Sequence, residues 1–159
     1  MMPETMMIIV TKGLHVLAAV IWIGGMFFAY QVLRPSIGGI EPPPERLRLW
    51  GRVFERFFKW VWIAVVVLLA TGYWMVVIEL GGFAVVGIDV HIMQGLGLIM
   101  IVIFLHLYFA SYGRFRRALA SEDFASAGQA LNQIRTMVST NLVLGLVIAL
   151  VGGTGRHWG

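Results

Sequence analysis

Four apolar runs dominate the chain: Met7–Leu33, Trp60–Leu80, His91–Ala110 and Met137–Val151. A bilayer's hydrocarbon core takes about 20 residues of helix to cross, so the first three suffice as they stand. The fourth is short. Good helix formers fill Ala125–Leu131 ahead of it, so its helix is expected to begin in water near Ser121, an acceptable N-cap followed by Glu122 and Asp123. Between the first and second runs, GGIEPPPE over Gly38–Glu45 carries three consecutive prolines, which predict a break in the helix. Arg46–Lys59 then mixes arginines with Leu47, Leu49, Trp50, Val53, Phe54, Phe57 and Phe58, the pattern of an amphipathic helix lying at a membrane surface. These elements predict an all-α integral membrane protein, an up-down-up-down four-helix bundle. Residues 1–159 form one domain, with long connections at 34–59 and 111–136.

Charge gives the bundle a direction. Of the twelve basic residues, ten lie in those two connections or at their edges: Arg34, Arg46, Arg48, Arg52, Arg56, Lys59, Arg114, Arg116, Arg117 and Arg135. Only Lys12 and Arg156 belong to the other side. The positive-inside rule therefore predicts a multi-pass protein of a bacterial-type inner membrane, with cytoplasmic connections and both termini outside, in the periplasm. The N-terminal MMPETMMIIVTK has no basic segment and no small-residue cleavage site, so the first run is expected to stay as a helix.

Composition changes the picture mainly by exclusion. Charged residues make up 13% of the chain, against roughly a quarter in soluble domains, which places it in a lipid bilayer. The net charge of +4 comes from arginines flanking apolar runs, where headgroups are the expected partners and nucleic acid is not. Cysteine is absent, which rules out disulfides, thiolate metal sites and covalent haem attachment. A bound metal must then use His, Met, carboxylate or amide groups. No paired carboxylates, nucleophile with an adjacent base, or phosphate-binding glycine loop supports a hydrolase or kinase.

Within the spans, His15 is the residue that demands an explanation, because an ionisable side chain in an apolar helix is costly. It lies about eight residues, roughly 12 Å, inside the outer end of its helix. Ala18, Ala19, Trp22 and Met26 share its side. His91 sits near the outer end of the third run, with Gly95, Leu98 and Gly97 on or near its face. The first and third helices run in the same direction, so both imidazoles fall in the same leaflet. Two imidazoles facing each other across a bundle make a bis-axial clamp for haem iron. Met93 is a soft ligand that could replace His91, although it lies about 200° round the helix. Lys12, a turn nearer water than His15, could pair with haem propionates, as could Arg156; snorkelling is the plainer role for Lys12. The plainer role for His15 is a hydrogen bond to Thr71 or Asn141 on a neighbouring helix. His106 lies about 22 Å along the axis from His91 and cannot share its metal. His157 is expected at the surface, and Glu79 and Asp89 are expected to face water beside the outer turn. Met1, Met2, Met6 and Met7 cluster at the outer end, where thioethers favour Cu(I).

The stretch from His15 through Trp22 to Gly24-Gly25-Met26, closing on Leu33-Arg34-Pro35, resembles the first helix of the copper resistance protein D (CopD) family's membrane domain. Arg56-Phe57-Phe58 leading to Thr71-Gly72 is similar to that family's next helix. The same frame resembles HemJ, a four-helix haem-binding protoporphyrinogen oxidase whose first helix carries a histidine seven residues before a tryptophan. That resemblance implies His15 as a haem ligand and Trp22 as its companion. The chain departs from it where Met93 replaces a lysine and Gln31 replaces an arginine.

The expected function is thus a b-type haem protein for electron transfer or oxidoreductase chemistry, held by His15 and His91 with Lys12 and Trp22 nearby. The alternative is CopD-like copper transport or resistance. A structural subunit with neither cofactor is a third reading. The bilayer is the one partner the sequence names; a redox partner or small-molecule substrate is unidentified, and a homo-oligomer is left open.

Overall fold

The computed structural model describes residues 4–158. Four long helices account for nearly all of them: α1 (Glu4–Ser36), α2 (Pro43–Glu79), α3 (Ile88–Ala120) and α4 (Phe124–Thr154), each long and apolar enough to cross a membrane. A short 3-10 turn, Gly155–His157, follows. Residues 37–42 join α1 to α2, 80–87 join α2 to α3, and 121–123 join α3 to α4. The stretches 34–59 and 111–136, expected as long connections, are therefore mostly helix.

Three local expectations are corrected. The helix does break at 37–42, but the proline run does not lie wholly in the break: Pro43 and Pro44 occupy the first turn of α2, where a missing N–H costs nothing, and Pro42 precedes them in an extended conformation. Arg46–Lys59 is not a separate helix on the membrane surface but the continuous first half of α2. Its apolar residues Trp50, Phe54 and Phe58 are buried against the bundle. The cap of α4 is also displaced by two residues. Asp123 accepts from the Ser126 N–H at 3.0 Å, while Ser121 ends α3 with its hydroxyl on the Arg117 and Ala118 carbonyls. At the opposite turn, Gly81 and Gly82 have φ of 81° and 99°, a left-handed conformation that glycine adopts freely.

The helices close into a bundle in which α1 lies along α2 and α4, and α3 lies along α4. Side chains bridge α2 to α3: Trp62 meets Phe104 edge-on at 5.3 Å, and Phe58 meets Tyr112 at 4.9 Å. Packing has two physical sources. In the extensions beyond the apolar runs, burying Phe54, Phe115 or Ile134 removes surface from water, worth about 1.5–3 kcal/mol per side chain. In the spans no such drive exists between helices, and close approach at small residues takes over. A Cβ on Gly25 would overlap the Phe57 ring, and one on Gly145 would stand 2.8 Å from Ile23. Wide π-helical turns interrupt α1, α2 and α3 at Phe28–Leu33, Met75–Glu79 and Leu107–Tyr112. The chain ends and the 80–87 turn share one end of the bundle, the termini end; most of the arginines gather at the other.

Candidate functional site

At the termini end the seam between α1 and α2 carries four polar side chains on two adjacent levels. The inner level is His15 and Thr71, with His15 Nδ1 at 2.8 Å from Thr71 Oγ1. Thr71 Oγ1 has one hydrogen and already donates it to the Val67 carbonyl at 2.6 Å. It must therefore accept from His15, which fixes the imidazole as the Nδ1–H tautomer. The lone pair is left on Nε2, for which no hydrogen bond occurs among the described residues. The ring's Cε1 lies 3.3 Å from where a Cβ of Gly72 would be, so glycine there lets the imidazole lie against the α2 backbone. Of the two partners the sequence offered, Thr71 is the one used. Asn141 instead donates to the Met100 carbonyl at 3.0 Å and ties α4 to α3.

The outer level is Lys12 and Glu79, one turn of α1 and two turns of α2 nearer the termini end. Lys12 Nζ stands 3.6 Å from Glu79 Oε2. The expectation that Glu79 faces water is overturned, since its side chain is only 7% exposed against 59% for Lys12. Neither carboxylate oxygen has a hydrogen-bond partner. At 3.6 Å the lysine supplies charge more than a hydrogen bond, so a buried carboxylate is left with its lone pairs unfilled. The sequence hid this because the run ends one residue later, and an acid at a helix end normally reads as solvated.

The other candidates go elsewhere. His91 is exposed, its ring tilted against Phe83 at 6.4 Å, and Phe83 meets Tyr73 edge-on at 5.9 Å. Gln94 beside it donates to Tyr73 Oη at 3.2 Å. Met93 leans towards α4, its sulfur 3.2 Å from a would-be Cβ on Gly152. Asp89 is half-buried against Gly155 and does not project freely into water. Trp22 is buried and packs edge-on against Phe104 at 6.1 Å. Gly95 and Gly97 open to space and not onto a neighbouring helix. His106 and His157 are exposed, as is Met6, and Met7 is half-buried. Met1 and Met2 lie outside the described residues, as does the side chain of Arg156.

These residues do not fit a haem between α1 and α3. His15 is turned to α2, His91 is paired with an aromatic of the turn, and the Trp22–Phe104 contact fills the space between α1 and α3 further in. Among the described residues, no three His, Asp or Glu side chains gather where they could hold one metal ion. The arrangement offers one oriented imidazole nitrogen and, next to it, one buried carboxylate. That suits transient ligation or proton exchange.

Residues 51–154 match the copper resistance protein D family. The chain belongs to that family. The matched region takes in α2 from Gly51 onward, all of α3 and all of α4, and so includes Thr71, Gly72 and Glu79 but neither Lys12 nor His15. No curated protein and no solved structure matches the chain.

Proposed function

We propose that this CopD-family protein handles copper as cargo, taking the ion at the termini end and ligating it through His15 Nε2. The observation that carries the reading is the Thr71 hydroxyl. By accepting the Nδ1–H it orients the ring and keeps the other nitrogen a neutral donor, the arrangement that ligand histidines commonly use. Imidazole suits copper, and a cargo site must hold its ion loosely enough to release it. Glu79 would add an anionic oxygen one level out, and the methionines near the N-terminus would add soft sulfur donors. The excess of arginine at the other end supports termini on the outer side of a bacterial-type inner membrane, so that the ion enters from the periplasm.

Copper accumulation by cells expressing the protein tests this. The protein should raise cell copper, His15→Ala should abolish the rise, and Thr71→Ser should keep it. Accumulation unchanged by His15→Ala would overturn the site. A visible Soret band in purified protein that disappears in His15→Ala would replace copper with haem as the ligand of this imidazole. A reporter fused to the C-terminus that is active only in the cytoplasm would reverse the orientation.

A further inference from the structure

At the arginine-rich end, α1, α2 and α4 form a cleft lined by Arg34 and Arg135 and otherwise by aromatic and apolar side chains, Ala29, Val53, Phe57 and Val138 among them. Both guanidinium groups lie over aromatic rings, Arg34 over Tyr30 at 5.0 Å and Arg135 over Trp50 at 5.9 Å. This contact holds each cation beside its ring but uses none of the N–H donors.

Those donors are under-used. Arg135 Nε is buried without a hydrogen-bond partner, and so is Nε1 of Trp50, a residue only 3% exposed. Arg135 makes one polar contact, from Nη1 to Asn132 Oδ1 at 3.3 Å. Arg46 donates to the Gly38 carbonyl at 2.8 Å, and the charges of Arg34 and Arg46 both act on Arg135. No carboxylate answers these three cations among the described residues. Glu45 and Glu122 pair with Arg48, and Glu55 pairs with Lys59. Three arginines without a carboxylate in ion-pair contact and two buried donors unfilled describe a site that lacks an anion.

The geometry points to a binding site for the phosphate of an anionic phospholipid, with the headgroup between Arg34 and Arg135 and an acyl chain along the apolar walls of the cleft. Guanidinium forks match phosphate oxygens bidentately. The apolar walls, continuous with the spans, favour a lipid over free phosphate. The π-helical turn Phe28–Leu33 carries Tyr30 and ends just before Arg34, and such wide turns occur often at functional positions.

Native mass spectrometry of the delipidated, detergent-solubilised protein tests the site, with dioleoyl phosphatidylglycerol, dioleoyl phosphatidylcholine and inorganic phosphate as probes. One phosphatidylglycerol should bind at least tenfold more tightly than phosphatidylcholine, and millimolar phosphate should not displace it. The Arg34→Ala/Arg135→Ala pair should lose that preference, while Arg52→Ala, which removes an exposed arginine outside the cleft, should keep it. Trp50→Phe keeps an aromatic ring but removes the indole N–H, and should weaken the complex by a few fold more for phosphatidylglycerol than for phosphatidylcholine. Equal loss in Arg52→Ala, or equal affinity for the two lipids, would overturn the site. Displacement by inorganic phosphate would overturn the lipid as its occupant.

Discussion

The two ends of this bundle are built on opposite terms. At the arginine-rich end, Trp50, Phe54 and Phe58 stack along one face of α2, and Tyr112 and Phe115 meet them edge-on. Every one of these five residues is buried. At the termini end the α1–α2 seam is thin: Ala18 and Gly72 bring the helices together, and the groups between them are a hydrogen-bonded imidazole and a half-exposed ion pair. The first end uses large rings to hold helices that emerge from lipid into water. The second is thinly packed, and its unfilled atoms are acceptors, the Glu79 oxygens, where the first leaves the N–H donors of Arg135 and Trp50 unfilled. The ring packing that holds the bundle and the proposed copper site are thereby separated along the helix axis, and a substitution should affect one largely without the other.

The strongest way to break that separation is Phe58→Ala. Phe58 touches Phe54, Phe57, Phe104, Tyr108 and Tyr112, so the cavity should cost about 3–5 kcal/mol. Thermal unfolding in detergent should show a lowered midpoint, while protein that remains folded should keep its copper response. A copper response lost in parallel with folded protein would tie the two ends together.

Lys12→Met probes the other end. It leaves the Glu79 carboxylate buried without a counter-charge, which for a fully buried pair costs about 3–5 kcal/mol. Because Lys12 is 59% exposed and solvent screens it, about 1–2 kcal/mol is expected here. Adding Glu79→Gln should return most of that loss, measured as a double-mutant cycle on the unfolding midpoint. Additive losses would show that the two side chains do not interact.

Thr71→Val is smaller in stability and sharper in chemistry. The His15 Nδ1–H loses its acceptor, costing about 1 kcal/mol, and the ring loses its fixed tautomer. Copper affinity should fall about tenfold, with Thr71→Ser near wild type. An equal fall in both variants would mean that packing, and not the hydroxyl, sets the site.

The same contrast explains what could be read from sequence. Apolar length gave four helices and their order, because a run of about 20 apolar residues satisfies its own backbone in lipid only as a helix. It also singled out His15 and named Thr71 as a partner. It misjudged the breaks, where position within a turn decides: Pro43 and Pro44 start a helix that they would have ended in its middle, and Ser121 closes α3 while Asp123 caps α4. Pairing across helices was the least legible. Depth alone set His15 opposite His91, but rotation turned His15 to α2, left His91 beside Phe83 and brought Glu79 inward to Lys12. Periodicity says which residues share a face; it does not say which neighbour that face meets.

The smallest expected effect lies at the arginine-rich end, at the α3–α4 turn. Asp123 is exposed, yet hydrogen bonds from the Ser126 hydroxyl and then from the Ser126 N–H hold its carboxyl below the usual carboxylate range. A pKa lowered by folding means that the capping contribution is present above the ordinary carboxylate value and fades as pH falls through the folded one. Wild-type protein should therefore lose a small part of its stability on acidification in that range. Asp123→Asn keeps a side-chain acceptor for Ser126 without a titrating charge, so the midpoint difference between the two proteins should shrink as pH is lowered through the carboxylate range. A difference that stays constant from neutral pH to below that range would show that the Asp123 charge does not contribute to holding the turn.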